Sequence, residues 1–503
     1  MMVKINHAIL NCDKSSSMDS PLHIDTLFAQ ITDTHWEELF ELTKVVSFTQ
    51  KKIALFSGEK LNLSEKRPAL HTALRNLSQS PILVNDVDVM PIITSVWRQI
   101  ERCSHELNDV TDIIHIGIGG SDFGPRLVCD ALHLQANSQK PEIRVHFLSN
   151  VDSADLARIL EKINPQSTRL ILVSKTFTTV ETLQNANAVM QWLTSQGIET
   201  PELSKRIYAV TAKPQLAQQF GVMEKNIFPF WDWVGGRFSV WSAVGLPIAL
   251  QFGFKTFQDF LAGAHAMDQH FLESDNHDNQ PLQLALALYF HQKHHGVKSQ
   301  AIIPYAQALQ LFPNWLQQLE MESNGKTAGL DGKPVPFSAP VIFGIPGTNA
   351  QHSFFQMLHQ GPEIIPVDFI AVREPMSNIK NHQDHHEQLL ANCLAQSQAF
   401  AIGQGDPENL NQFYPGKRPN NIIWLPRLDA YHLGALMALY EHRTFCLGLL
   451  YGINSFDQPG VELGKKLAFP IQSAIHDPKS DLSLLNPITA SRIQWLKKPF
   501  LKK

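Results

Sequence analysis

No two cysteines of this chain form a C-x-x-C pair, and the five present, at positions 12, 103, 129, 393 and 446, are scattered and odd in number. That pattern reads as reduced thiols in a cytoplasmic protein. An excess of positive charge is missing too. Lys+Arg is 42 against 47 for Asp+Glu, a balance of −5, which argues against nucleic acid or an anionic membrane as the main partner. Any anion must therefore be held locally. A membrane-length apolar run is also lacking. The nearest approach, LGALMALYEHRTFCLGLLYGI, is interrupted by Glu441, His442 and Arg443, so a buried helix is expected there. The opening MMVKINHAILNCDKSS has neither an apolar h-region nor a cleavage site, and no secretion signal is expected.

What is present is a chain able to build a large core. Over 503 residues, 44% are apolar and 18% charged, so two or three domains or one two-lobed unit are expected. Residues before about 100 read as helical, with apolar positions in IDTLFAQITDTHWEELFELTKVV at three- and four-residue intervals. Then come short β-rich runs separated by helical patterns: DIIHIGIGG, IRVHFLSN, TRLILVSKT and KRIYAVTAK. The texture recurs in KSQAIIPYA, PVIFGIPG, EIIPVDFIAV and NNIIWLP. The fold class is therefore α/β: two parallel sheets covered by helices, joined through the helical stretch around 240–290. The expected divisions are a helical segment 1–100, α/β domains 101–290 and 291–475, and a tail 476–503. Ligands of such sheets sit at the carboxyl ends of the strands.

After the first strand stands GIGGSDFGP. A dinucleotide fingerprint from Gly117 and Gly119 needs glycine at 122, where Asp122 stands; a P-loop from Gly119 needs lysine at 125, where Pro125 stands. Both nucleotide readings fail. A tight turn remains, with Gly120 and Ser121 able to present N–H groups and a hydroxyl. The third strand ends in SKTFTTVET, placing Ser174, Lys175, Thr176 and Thr179 before a helix. A helix start suits a phosphate, while Thr178-x-x-Glu181 fits a capping box. In DWVGGRFSVWSAVG, Arg237 is either a buried ion-pair partner or an anion clamp.

NWLQQLEMESNGK carries two glutamates. At about 100° per residue, Leu311, Phe312, Trp315, Leu316 and Leu319 define one apolar stripe. Glu322 falls at its edge with Gln318 beside it, while Glu320 falls on the wet side. Asn324-Gly325 then reads as a stop that accepts positive φ. Glu322 is thus an inward carboxylate, as suited to a structural ion pair as to catalysis. GTNAQHSFFQMLHQG holds His352 and His359, and FDQPGVELGKKLA puts Gln458 near a helix start with Lys465 seven residues later on nearly the same face. NHQDHHEQ offers three histidines without a partner cluster, so no metal is expected.

Together LNLSEKRPALHTALR, GIGGSDFGP, SKTFTTVET, VGGRFSVWSAVG, QQLEMESNGK, GTNAQHSFFQMLHQG and FDQPGVELGKKLA resemble the glucose-6-phosphate isomerase (phosphoglucose isomerase) family, in that family's order. The resemblance implies two sugar-isomerase-type domains, a homodimer with shared sites, no metal or organic cofactor, and interconversion of glucose 6-phosphate and fructose 6-phosphate. It implies that Ser121, Ser174, Lys175, Thr176 and Thr179 hold the phosphate beside Gly120. Glu322 would be the base, His352 and Lys465 would assist ring opening, and Arg237 would stabilise the intermediate. Gln318 and Gln458 would line the sugar, and Glu181 would neighbour His352 of the partner subunit. Aldose–ketose isomerisation needs one carboxylate to move a proton between C2 and C1, acid/base groups for the ring, and a cation near the enediolate. Two other readings are a phosphosugar sensor without catalysis, and an isomerase of another phosphosugar such as mannose 6-phosphate. The sensor would not need Glu322, His352 and Lys465 together.

Overall fold

The computed structural model describes residues 20–107, 109–135, 143–377, 379–477 and 479–498. Cys12 and the opening MMVKINHAILNCDKSS lie outside the described residues. The chain divides into two compact units, Met1–Phe456 and Asp457–Lys503.

The first unit contains two five-stranded sheets. The strands of these two sheets are β1 (His23–Asp25), β2 (Asp112–Ile116), β3 (Arg144–Leu148), β4 (Thr168–Val173), β5 (Ile207–Thr211), β6 (Ile227–Pro229), β7 (Ser299–Tyr305), β8 (Val341–Phe343), β9 (Val367–Val372) and β10 (Asn420–Leu425). A short antiparallel pair, Leu83–Val84 with Val87–Asp88, stands apart from them. One sheet runs β3-β2-β4-β5-β6, all parallel. The other runs β1-β10-β9-β7-β8, parallel except for β1, which pairs antiparallel with β10. All eight β-rich runs of the sequence are strands. β1, in the stretch expected to be helical, pairs His23 with Trp424 through only three residues, too few to show a period of two. β6 is equally short and ends on Pro229 at the sheet edge, where a missing N–H breaks no ladder bond.

Central strands are buried on both faces: every residue of β2, β4 and β9 is buried. That is why their sequences run apolar instead of alternating. The interrupted apolar run is a helix, Ala430–Tyr451, packed against Phe254–Glu273. Its Glu441 and its neighbour's Asp268 bind Arg75, which stacks on Trp241 at 4.4 Å. His442 shares Asp268 at 2.7 Å. Burial pushes the Asp268 carboxyl up, but Arg75 and His442 outweigh it and hold the group down at about 2. Among the described residues no helix is long and apolar enough to cross a membrane. The second unit holds helices Glu462–His476 and Pro487–Leu496.

Candidate active site

β2 runs into a turn at which Gly119 takes φ +63°, and the helix Gly120–Ala131 begins at once. A Cβ on Gly120 would lie 2.0 Å from the Gly236 carbonyl and 2.5 Å from the Arg237 nitrogen. Only glycine lets the two chain segments approach so closely. The glycine turn is thereby pressed against the segment that carries Arg237. Ser121 follows, half-buried, its carbonyl 2.7 Å from His115 Nε2. Burial lowers His115 to about 4, so the imidazole is neutral near pH 7 and donates from Nε2 to that carbonyl.

β4 delivers the second part. Ser174 is buried and its hydroxyl lies 2.9 Å from that of Thr179. Thr179 is the N-cap of the helix Val180–Ser195 but makes no side-chain cap bond. The capping box expected from Thr178 and Glu181 does not form. The helix starts one residue later than that pattern requires, and Thr178 Oγ1 donates instead to Thr176 Oγ1 at 2.8 Å. Thr176 is exposed and Glu181 half-buried in the first helical turn. Lys175 Nζ donates to the carbonyls of Asp232 and Val234 at 2.9 and 3.0 Å, just ahead of Gly235-Gly236-Arg237. Burial, with Arg67 adding to it, lowers this ammonium from 10.5 to about 8.

Arg237 itself is buried. Nε donates to Ser323 Oγ and Nη2 to the Ser455 carbonyl, both at 2.6 Å, and Nη1 lies 3.5 Å from Glu322 Oε1. Both sequence readings of Arg237 are compatible with this pairing. Glu322 is partly open, with 23% of its side chain exposed. Gln318 is at hand too, because a Cβ on Gly119 would stand 3.1 Å from its Nε2.

One expectation is overturned here. Glu320, placed on the wet side by a 3.6-residue period, is fully buried; its carboxylate accepts from Asn324 Nδ2 at 2.8 Å and from Thr444 Oγ1 at 2.7 Å. The cause is a π-helical turn over Gln317–Glu322, following the α-helix Phe312–Leu316. A π turn holds an extra residue, so later positions are set back by about 100° of rotation. That carries Glu320 from opposite the apolar stripe to its middle, and swings Glu322 away from the core edge toward solvent. Asn324 and Gly325 do not end the helix through positive φ, which neither adopts. Asn324 is buried and donates to the Thr444 carbonyl at 2.8 Å. Ser323, Asn324 and Ser455 were missed as site residues. They looked like a stop signal and a loop, since their partners are remote in sequence.

The structure thus brings Gly120, Ser121, Gln318, Glu322 and Arg237 together, with Lys175 anchored beside them. His352 lies elsewhere along the chain, exposed on the 3-10 turn Asn349–His352 after β8. Gln317 Nε2 ties the π turn to β8 through the Ile342 carbonyl at 3.0 Å. His359 is the packed histidine of that segment: it lies 2.9 Å from Gln396 Oε1 and 4.1 Å from the Phe400 ring. In the second unit Gln458 precedes the 3-10 turn Pro459–Val461, and Lys465 sits on the helix that starts at Glu462. The two do not share one helix face as expected, because Pro459 and Gly460 interpose a tighter turn. Lys465 is exposed and pairs with Glu462 at 3.0 Å. Of the three neighbouring histidines, His382 and His386 contact the carbonyls of Ile379 and Arg373, each at 2.9 Å.

Comparison with known proteins bears on this geometry. The family described as phosphoglucose isomerase matches residues 27–492. A glucose-6-phosphate isomerase of Dechloromonas aromatica is 43% identical, covering 95% of this chain and 96% of its own. One from Helicobacter pylori is 42% identical over 92% of this chain and 89% of its own. The crystal structure of a glucose-6-phosphate isomerase from Chlamydia trachomatis superposes with a TM-score of 0.85 at 31% identity, covering 95% of this chain and 92% of that one.

Proposed function

The chain belongs to the phosphoglucose isomerase family and interconverts glucose 6-phosphate and fructose 6-phosphate, and from that premise we propose that Glu322 is the proton-shuttling base. The observation that carries this reading is the 3.5 Å approach of a partly open Glu322 to a buried Arg237, beside the Gly120-Ser121 turn. From its open side the carboxylate removes the C2 proton of the open-chain aldose and returns it to C1, while the O2 hydroxyl proton passes to O1. Negative charge then develops on the enediolate oxygens, where the guanidinium is already in place. The proton is conserved, so no redox partner is needed.

The phosphate is held by Ser121, Ser174, Lys175, Thr176 and Thr179. Its binding energy keeps C1 and C2 in register with Glu322. Gln318 lines the sugar. Ring opening needs a proton delivered to the ring oxygen and one taken from the anomeric hydroxyl, and His352 takes part in that transfer. The exposed position of His352 suits a homodimer in which His352 of the partner subunit completes each site next to Glu181. A cytoplasmic location fits the four described cysteines, all free and buried. No metal or organic cofactor has a part in this chemistry.

A coupled assay with fructose 6-phosphate, combined with exchange of the C2 proton of glucose 6-phosphate into solvent, tests the reading. Glu322→Gln keeps the shape but removes the base, so turnover falls by roughly 10²–10⁴-fold and exchange disappears. Persistent exchange in that variant moves the base elsewhere. Mixing Glu322→Gln with His352→Ala subunits restores one working site of two if sites are shared. No recovery after confirmed subunit exchange excludes sharing.

A further inference from the structure

Glu320 is fully buried and stands two residues from the partly open Glu322. Its oxygens begin an unbroken chain of hydrogen bonds. Oε2 accepts from Thr444 Oγ1 at 2.7 Å, and Oε1 accepts from Asn324 Nδ2 at 2.8 Å. Asn324 Oδ1 accepts from Ser455 Oγ at 2.7 Å. The Ser455 carbonyl accepts from Arg237 Nη2 at 2.6 Å, and Arg237 Nη1 faces Glu322 at 3.5 Å. Ser323, between the two glutamates and Asn324, holds Arg237 Nε at 2.6 Å. Thr444, Glu320, Ser323, Asn324, Ser455 and Arg237 are all buried.

A second observation shows that the fold is fitted to this chain. Position 448, on the buried helix Ala430–Tyr451, is glycine. A Cβ there would lie 1.9 Å from Ser455 Oγ and 2.9 Å from Asn324 Oδ1, on the very bond that joins them. The helix is therefore bare where the Ser455–Asn324 link passes.

We infer that Glu320 is a positioning residue, which acts through Asn324 and Ser455 to hold Arg237 in register with Glu322. The inference rests on the reading of Glu322 as the base. The π turn is the device that makes it possible, since it places two carboxylates of one short segment on different sides, one toward substrate and one toward the core. A buried polar network with each member satisfied is stiff, and loss of one link is felt along its length. Misplacement of a reacting group by about 1 Å costs on the order of a hundredfold in rate.

The test separates positioning from mere stability. In Glu320→Ala the turnover number falls on the order of tenfold to a hundredfold, while KM and the affinity for inorganic phosphate stay within about twofold. Glu320→Gln restores turnover to within about threefold: its amide oxygen still accepts from Asn324, and the Thr444 hydroxyl turns to accept from the new NH₂. Ser455→Ala removes one hydroxyl from the far end of the chain and reproduces the turnover-only loss, so it keeps the inference testable where Glu320→Ala does not fold. Turnover unchanged in folded Glu320→Ala, or in Ser455→Ala, overturns the positioning role. An equal loss of phosphate affinity overturns it too, by showing general loosening. Glu322→Gln serves as the reference. C2 exchange that persists there sinks the base assignment, whereas exchange lost there with normal turnover in Ser455→Ala sinks only the role of Glu320.

Discussion

Arg237 Nη1 lies 3.5 Å from Glu322 Oε1, with 1% of the arginine side chain exposed and 23% of the glutamate's. The pair is asymmetric. The cation is locked by Ser323 and Ser455, while the anion keeps part of its surface open to solvent. Arginine suits such a place because its planar fork can serve three partners at once and stays charged throughout.

Arg237→Lys tests that argument. A lysine ammonium is a point charge and cannot reach Ser323 Oγ, the Ser455 carbonyl and Glu322 together. Turnover should drop by roughly 10²–10³-fold, the usual cost of removing one preorganised donor from a developing oxyanion. Steady-state kinetics of the folded variant should show KM nearly unchanged. A fall in KM-governed binding with normal turnover would give Arg237 a ground-state role instead.

The Ser174–Thr179 segment makes a separate prediction. Thr176 is exposed and Thr179 leaves the helix start uncapped by its side chain. Thr176→Ala with Thr179→Ala should weaken substrate and inorganic phosphate together, measured by KM and by competitive inhibition. Equal affinities in the doubly substituted protein would place the phosphate elsewhere.

Much of this was legible in the sequence, and what was not has a physical cause. The strand β4 and the hydroxyl run after it announce themselves because the chemistry is contiguous, from Ser174 to Thr179. Arg237 reads as special only by composition. Its partners Ser323 and Ser455 are 86 and 218 residues away. Helical arithmetic sets Glu322 at the core edge and Glu320 in water, and the structure reverses the two: Glu320 is buried and Glu322 is partly open. An α period fails wherever one extra residue enters a turn, and no residue type in QQLEME signals a π turn. β1 escaped for a related reason, being paired through three residues only.

The Arg75 cluster yields a stability prediction. Asp268 receives Arg75 Nε and Nη2 at 2.8 and 2.7 Å, deep in the core. Removing one partner of a buried pair strands the other, so Asp268→Ala should destabilise the protein by about 3–5 kcal/mol in urea unfolding. Asp268 is held below its ordinary value, so its contribution is present above 3.8 and disappears as pH falls toward about 2. The variant should lack that part of the acid limb. An unchanged urea midpoint would mean that Arg75 finds full compensation in Glu441 alone.

Lys175 gives the last prediction, because its titration falls within an accessible pH range. Burial depresses the ammonium from 10.5 to about 8, and its Nζ is held by two backbone carbonyls instead of a carboxylate. A phosphate dianion arriving beside it favours the charged form, so the bound-state value lies above the free one. Affinity is then complete below about 8 and falls as pH rises beyond it, by at most about tenfold per unit. A phosphate monoester adds no slope there, since its second ionisation near about 6 is already complete. The free protein responds in the opposite sense. Unfolding returns Lys175 to 10.5, so the folded state binds fewer protons between about 8 and 10.5, and this group's penalty on folding is relieved as pH rises. Weaker binding above pH 8 therefore cannot be put down to this lysine loosening the fold. Competitive inhibition by a simple alkyl phosphate monoester between pH 7 and 10 should show the loss, and Lys175→Met should bind it weakly with a flat profile. A flat profile in the unaltered chain would remove Lys175 from the phosphate site.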